Sequence, residues 1–152
     1  MSDNDKAIIC GGCFWGIEEN FRTKPGIIST EVGYAGGQSE NTNYEAVCSG
    51  KTGHAECVKI TFDTKIISYE KILDIFFKMH DPTQKDMQYP DIGTQYRSEI
   101  FFLDEKQKKI AEMVKEKFNK LLNNKVETNI NPLTTYVVAE EYHQKYLQKK
   151  NR

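Results

Sequence analysis

The sequence predicts an α+β fold with a split βαβ core, a two-layer sandwich of sheet and helices, and three observations carry that prediction. Apolar runs with strand and helix periodicity follow one another in the order strand, helix, strand, strand, helix, strand. Glycine and proline punctuate the junctions between them. At 152 residues, 38% of them hydrophobic and 28% charged, the chain is one domain's worth, residues 1–152, and large enough to bury a core. This element order is that of ferredoxin-like domains, here with long loops and a C-terminal extension.

The elements follow in order. Ala7-Ile8-Ile9-Cys10 is short, isoleucine-rich and ended by Gly11 and Gly12, as a buried strand entering a tight turn is. Phe14, Ile17 and Phe21 recur at helical spacing, which puts Cys13 where the strand hands over to a helix. After the Pro25-Gly26 turn, Ile28, Thr30, Val32 and Tyr34 alternate along one face of a second strand. Residues 38–53 are polar and too long for a simple hairpin loop, which predicts a surface excursion with a function. Val58, Ile60 and Phe62 alternate with Lys59, Thr61 and Asp63 in a third strand that has one wet face.

Ser68 caps a helix with a buried stripe of Tyr69, Ile72, Leu73 and Phe76, which stops near His80-Asp81-Pro82. Residues 80–97 have little periodicity and form a second long loop. Ile100-Phe101-Phe102-Leu103 reads as a buried fourth strand, and Asp104 with Gln107 as a capping box opening a helix through Ile110, Val114, Phe118 and Leu121. Thr135 to Val138 reads as an extended edge segment and Ala139 to Leu147 as a short last helix.

Charge excludes some partners. With 21 basic and 22 acidic residues the net charge is −1, so no global field recruits nucleic acid or anionic lipid. The first six residues are polar and acidic, and the apolar stretch after them is shorter than a signal peptide's, which reads as a cytoplasmic chain without a membrane segment. A monomer is the expected state.

The four cysteines are Cys10, Cys13, Cys48 and Cys57, and in a cytosolic chain catalytic or metal-binding roles come before disulfides. Cys13 in the first helical turn lies among unpartnered backbone N–H groups and the positive end of the helix dipole, which favours a low-pKa thiolate. Phe14 and Trp15 put apolar rings at its side. Glu56, if held near apolar rings, becomes a proton donor at neutral pH, although a solvated strand-end glutamate is the commoner case. Tyr44 and Tyr96 offer phenolic hydrogen bonds to a polar oxygen. Cys48, His54 and Cys57 are soft donors, but their spacing is a poor zinc pattern and no metal is expected. Cys10-Gly11-Gly12-Cys13 suggests a thiol–disulfide exchanger, against which stands a Trp that follows the motif instead of preceding it. His143 reads as a surface or packing residue.

Seven blocks taken together are more specific than any of these. Gly12-Cys13-Phe14-Trp15-Gly16, Gly33-Tyr34-Ala35-Gly36-Gly37, Tyr44 to Gly50, Thr52-Gly53-His54-Ala55-Glu56, His80-Asp81-Pro82-Thr83, Gly93 to Ser98, and Ala139-Glu140 with Tyr142-His143-Gln144 closely resemble the peptide methionine sulfoxide reductase A family, in order, from about Ala7 to Leu147. The resemblance implies repair of oxidised methionine, free or in proteins, by reduction of the S epimer of its sulfoxide. It implies that Cys13 attacks the sulfoxide sulfur, that Glu56 protonates the oxygen, and that Tyr44 and Tyr96 hold that oxygen. Asp91 matches an outer partner acting through water, and Phe14 and Trp15 match the rings that receive the methyl group. The product on the enzyme is Cys13 sulfenic acid.

The chain departs from the pattern twice. Gln88-Tyr89-Pro90 stands where many relatives carry a glycine before Asp91, and no cysteine follows Gln144, where many relatives have resolving cysteines. The second departure resembles one-cysteine members, some of which use selenocysteine at the Cys13 position. Regeneration is then expected from Cys10, Cys48 or Cys57, with Cys10 the nearest in sequence, or from an external thiol such as thioredoxin or glutathione with glutaredoxin. No organic cofactor is expected. The competing readings are a thiol–disulfide oxidoreductase using Cys10 and Cys13, and an idle module that binds oxidised peptides.

Overall fold

The structure, a computed structural model, describes residues 4–37 and 42–150. In chain order its elements are β1 (Asn4–Gly11), α1 (Phe14–Arg22), β2 (Ile27–Ala35), α2 (Tyr44–Cys48), β3 (Ala55–Asp63), α3 (Tyr69–Met79), β4 (Met87–Gln88), β5 (Asp91–Ile92), β6 (Ser98–Phe102), α4 (Glu105–Leu121), β7 (Asn129–Pro132), β8 (Tyr136–Val138) and α5 (Tyr146–Lys150). Single turns of 3-10 helix lie at Thr94–Tyr96 and Glu141–His143.

Six strands make one sheet in the order β7-β6-β1-β3-β2-β8. The inner four, β6-β1-β3-β2, are antiparallel throughout, which is the split βαβ core that the order of elements predicts. The C-terminal extension supplies both edges, β7 parallel to β6 and β8 antiparallel to β2.

Strand alternation sorts side chains between two faces. Ala7 and Ile9 of β1, Val32 and Tyr34 of β2, and Val58, Ile60 and Phe62 of β3 share one buried cluster with Phe14, Ile17 and Phe21 of α1, Ile72, Leu73 and Phe76 of α3, and Val114 and Phe118 of α4. The other face holds a smaller cluster of Ile8, Cys10, Ala35, Ala55, Cys57 and Phe101, against which Leu133 and Tyr136 pack. Capping follows the sequence: Ser68 accepts from the Lys71 N–H at 3.0 Å and Asp104 from the Gln107 N–H at 2.8 Å.

Several local readings change. Ile28 is exposed, because a bulge between Ile27 and Ser29 breaks the β2 alternation. The first loop contains α2, and the second contains the β4–β5 pair. Leu103 falls outside the fourth strand and is exposed, as is Leu121 at the end of the α4 stripe, in which Ala111 takes a place. The last helix starts only at Tyr146, because the residues before it are tied down by side chains in place of a helical ladder. Gln144 reproduces strand pairing with its amide, accepting from Val32 N–H at 2.9 Å and donating to Val32 O at 2.9 Å and Ala139 O at 3.0 Å. Among the described residues no helix is long and apolar enough to cross a membrane.

Candidate active site

β1 delivers the chain to the site through Gly11 and Gly12. Gly12 sits at φ 99°, a conformation that side chains rarely adopt, and a Cβ there would also press on Gln88 at 3.0 Å. Cys13 is then the N-cap of α1. The N–H groups of Trp15 and Gly16 bond its sulfur, which lies in a cleft of about 310 Å³ that Asp91 also lines.

The predicted thiolate does not follow from this placement. Burial raises the Cys13 thiol and a charge on Glu56 raises it further; the two N–H groups pull the other way and lose, so the pKa is pushed up to about 11. Cys13 rests as a thiol at neutral pH.

β3 delivers Glu56, opposite Tyr34 of β2 and on the same strand face as Val58. Its Oε1 accepts the Phe14 N–H at 3.2 Å, which ties the carboxyl to the residue after Cys13. Its Oε2 is buried without a partner, and the whole residue is 1% exposed. Burial drives its pKa to about 8, against the single N–H bond, with Asp91 adding to the rise. The carboxyl therefore carries a proton at pH 7.

Tyr44 opens α2 and Tyr96 ends the 3-10 turn before β6. Burial raises both phenols, and the charge of Glu56 raises them further, so each keeps a proton to donate. Both hydroxyls reach the thiol of Cys48, the last residue of α2. The fields of Glu56, Asp91 and Cys13 all act on Tyr96, so the two loops that the sequence marks as functional meet at one place.

The aromatic wall is larger than expected. Phe14 is fully buried, 5.8 Å from Tyr34 and 5.3 Å from His143 between ring centres. Trp15 stacks on Tyr146 at 3.9 Å and donates its indole N–H to His143 Nδ1 at 3.0 Å. Glu140 accepts from the Tyr34 hydroxyl at 2.8 Å, the Tyr44 N–H at 3.1 Å and the Tyr142 hydroxyl at 3.3 Å, which holds the C-terminal segment against this wall. The sequence reading of His143 as a surface or packing residue gives it no link to Trp15 and does not single out Tyr146, because one histidine and one tyrosine in a polar tail carry no periodic signal.

Cys10 has a different partner from the one expected. Its sulfur is bonded to Cys57, its cross-strand neighbour, and both are fully buried in the cluster on the face away from α1 and Glu56. This corrects the reading of Cys10 as a thiol available to Cys13, since residues 10 and 13 end on different sides of the sheet. Cys13 and Cys48 are the free cysteines. His80 is a strut: its ring nitrogens lie 2.6 Å from Phe76 O and 2.7 Å from the Ser98 hydroxyl, and burial brings its pKa down to about 4. No group of three or more His, Cys, Asp and Glu that could hold a metal ion occurs among the described residues.

A partly exposed cysteine, a buried carboxyl bonded to the N–H of the residue after it, and two phenols within reach of that carboxyl's field define an enzyme that works through sulfur. Comparison with known proteins narrows the class. The profile of the family described as peptide methionine sulfoxide reductase matches residues 5–152. A Pelagibacter ubique protein named peptide methionine sulfoxide reductase MsrA is 55% identical over 144 residues, which are 95% of this chain and 98% of the relative. The crystal structure of Mxr1 from Saccharomyces cerevisiae in reduced form superposes with a TM-score of 0.94 at 36% identity, covering 98% of this chain and 87% of that one. Mxr1 in complex with Trx2 matches with a TM-score of 0.68 at 25% identity, covering 94% and 84%. The chain belongs to the peptide methionine sulfoxide reductase family, and its reaction is the thiol-dependent reduction of methionine sulfoxide.

Proposed function

We propose that the S epimer of methionine sulfoxide, free or in proteins, is reduced at Cys13 with Glu56 as the proton donor. The observation that carries this reading is the Glu56 carboxyl, buried and unpartnered at one oxygen, beside the cysteine at the start of α1. A sulfoxide oxygen leaves sulfur only once it is protonated, and a carboxyl with a pKa of about 8 holds that proton at pH 7. Tyr44 and Tyr96 donate to the same oxygen, and Phe14 and Trp15 receive the methyl group. Asp91 acts from outside through water.

The step balances without another reactant. The Cys13 sulfur bonds to the substrate sulfur, the oxygen passes to Cys13, and the thioether leaves as methionine. Glu56 gives a proton to the oxygen, and the proton shed by the thiol replaces it. Cys13 ends as sulfenic acid, oxidised by two electrons.

External thiols then regenerate Cys13. Thioredoxin is the first candidate, because Mxr1 has been solved in complex with Trx2; glutathione with glutaredoxin is the alternative. We read the enzyme as a cytoplasmic monomer, and its sedimentation mass checks the oligomeric state. For the reaction, one equivalent of the S sulfoxide without reductant should release one methionine and oxidise Cys13, visible by intact mass and thiol count. Equal consumption of the R epimer would overturn the stereochemical reading. Turnover sustained by one reductant and not the other assigns the donor.

A further inference from the structure

We propose that His143 is a positioning residue: its neutral imidazole, by accepting the Trp15 indole N–H, holds that ring in the orientation that builds the methyl wall beside Cys13. The proposal rests on Trp15 serving as that wall.

Trp15 is pinned twice. Tyr146 stacks on it at 3.9 Å with planes 15° apart, and His143 Nδ1 takes its N–H at 3.0 Å. Stacking lets a ring slide and turn in its plane, whereas a hydrogen bond at the indole nitrogen fixes the rotation. An imidazole accepts at Nδ1 only when its proton sits on Nε2. In this structure Nε2 is buried without a hydrogen-bond partner, in a residue that is 1% exposed. A histidine kept for packing alone would have both nitrogens satisfied, as His80 does at the end of α3. At residue 143 a phenyl ring would fill the space between Phe14, Tyr44 and Tyr142, with ring centres 5.3, 4.4 and 4.1 Å away, and would leave no nitrogen unpaired. What imidazole adds there is the acceptor for Trp15.

The surroundings keep that acceptor neutral. Phe14 and Trp15 of α1 and the phenols Tyr44 of α2 and Tyr142 face the ring without charge, and Glu140 is the charged group that acts on it. Burial holds the imidazole below the ordinary histidine range despite Glu140. As pH falls through the His143 pKa, Nδ1 becomes a donor and faces another donor, so Trp15 is released on the acid side only.

Trp15 is the single tryptophan in the chain, so its indole N–H resonance and its fluorescence report this contact directly. His143→Phe should shift the indole resonance and raise KM for methionine sulfoxide about five- to tenfold, the size of one lost hydrogen bond, with kcat held within about twofold. His143→Gln, whose side-chain oxygen accepts, should restore both. Should His143→Phe fail to fold, an acid titration of the native enzyme gives the same test: an indole transition below pH 6.5 that His143→Gln lacks. An indole signal unmoved in His143→Phe, or a transition that persists in His143→Gln, overturns the proposal. An indole shift without a change in KM leaves the His143–Trp15 contact standing and removes the methyl-wall reading instead.

Discussion

Glu56 on β3 and Glu99 on β6 are both buried strand carboxylates, 1% and 4% exposed, yet their surroundings differ in kind. Glu99 is met by the Arg97 guanidinium at 2.6 Å and by the Asn131 amide at 3.1 Å, so each oxygen has a partner and the negative charge has a counter-charge. Glu56 has one backbone N–H, no cation, and one oxygen left over. Burial alone therefore does not make a proton donor. Burial without compensation does, and of these two glutamates it belongs to the one at the start of β3, beside Cys13.

The largest effect follows from removing the uncompensated acid. Glu56→Gln keeps the shape and the bond from Phe14 N–H but has no proton to give, so methionine sulfoxide turnover should fall by on the order of 10² to 10⁴. Alkylation of Cys13 should survive and speed up at alkaline pH, because the part of the thiol's rise that comes from the Glu56 charge is gone while burial remains. Full turnover in this variant at neutral pH would remove the acid role from Glu56.

Breaking the compensated pair should act on stability instead. Glu99→Gln leaves the Arg97 guanidinium without its carboxylate and should cost about 3 kcal/mol, read as a lower urea midpoint, while turnover per folded molecule stays near the native value. A loss of turnover without a loss of stability would erase the distinction between the two glutamates.

The same contrast has a pH signature. The Glu56 carboxyl titrates higher in the folded than in the unfolded chain, so its contribution to stability is complete below the unfolded value near 4.3 and is lost as pH rises through about 8. Glu56→Gln should therefore be more stable than the native chain at pH 9 by on the order of a few kcal/mol, and no more stable at pH 4. Identical denaturation profiles at both pH values would place the Glu56 titration near its ordinary range. Turnover of the native enzyme should decline over the same alkaline interval, as the donor loses its proton.

Much of this was legible in the sequence because periodicity reports burial. The alternation in Val58, Ile60 and Phe62 and the stripe Ile72, Leu73 and Phe76 depend on which face is wet, and the inner four strands follow from them. Glu56 also belongs to that alternation, being in phase with Val58. What stayed hidden depends on pairings between distant segments. β7 is a four-residue edge strand, largely exposed and held by pairing with β6, so Asn129–Pro132 has no apolar pattern to reveal it. The Cys10–Cys57 contact is a matter of strand register, since Ile9 pairs with Val58 and the cysteines come next. The depressed thiol pKa expected of a helix start was overturned first by burial of Cys13 and then by Glu56, which is 43 positions later in the chain and becomes a neighbour only in the folded sheet.

The phenols set the smallest effect and the finest test. Tyr44 and Tyr96 reach the same region from two loops, and both hydroxyls also touch Cys48. If each donates to the sulfoxide oxygen, losing one leaves the other and the Glu56 proton in place. Tyr44→Phe and Tyr96→Phe should then each lower kcat/KM about fivefold, the size of one net hydrogen bond of about 1 kcal/mol. The double variant should lose more than the product of the two, because the last polar wall around a buried oxygen goes with it. If the single changes are silent while Glu56→Gln is inactive, the oxygen is held by the carboxyl alone and the phenols serve to order Cys48 and the loop ends.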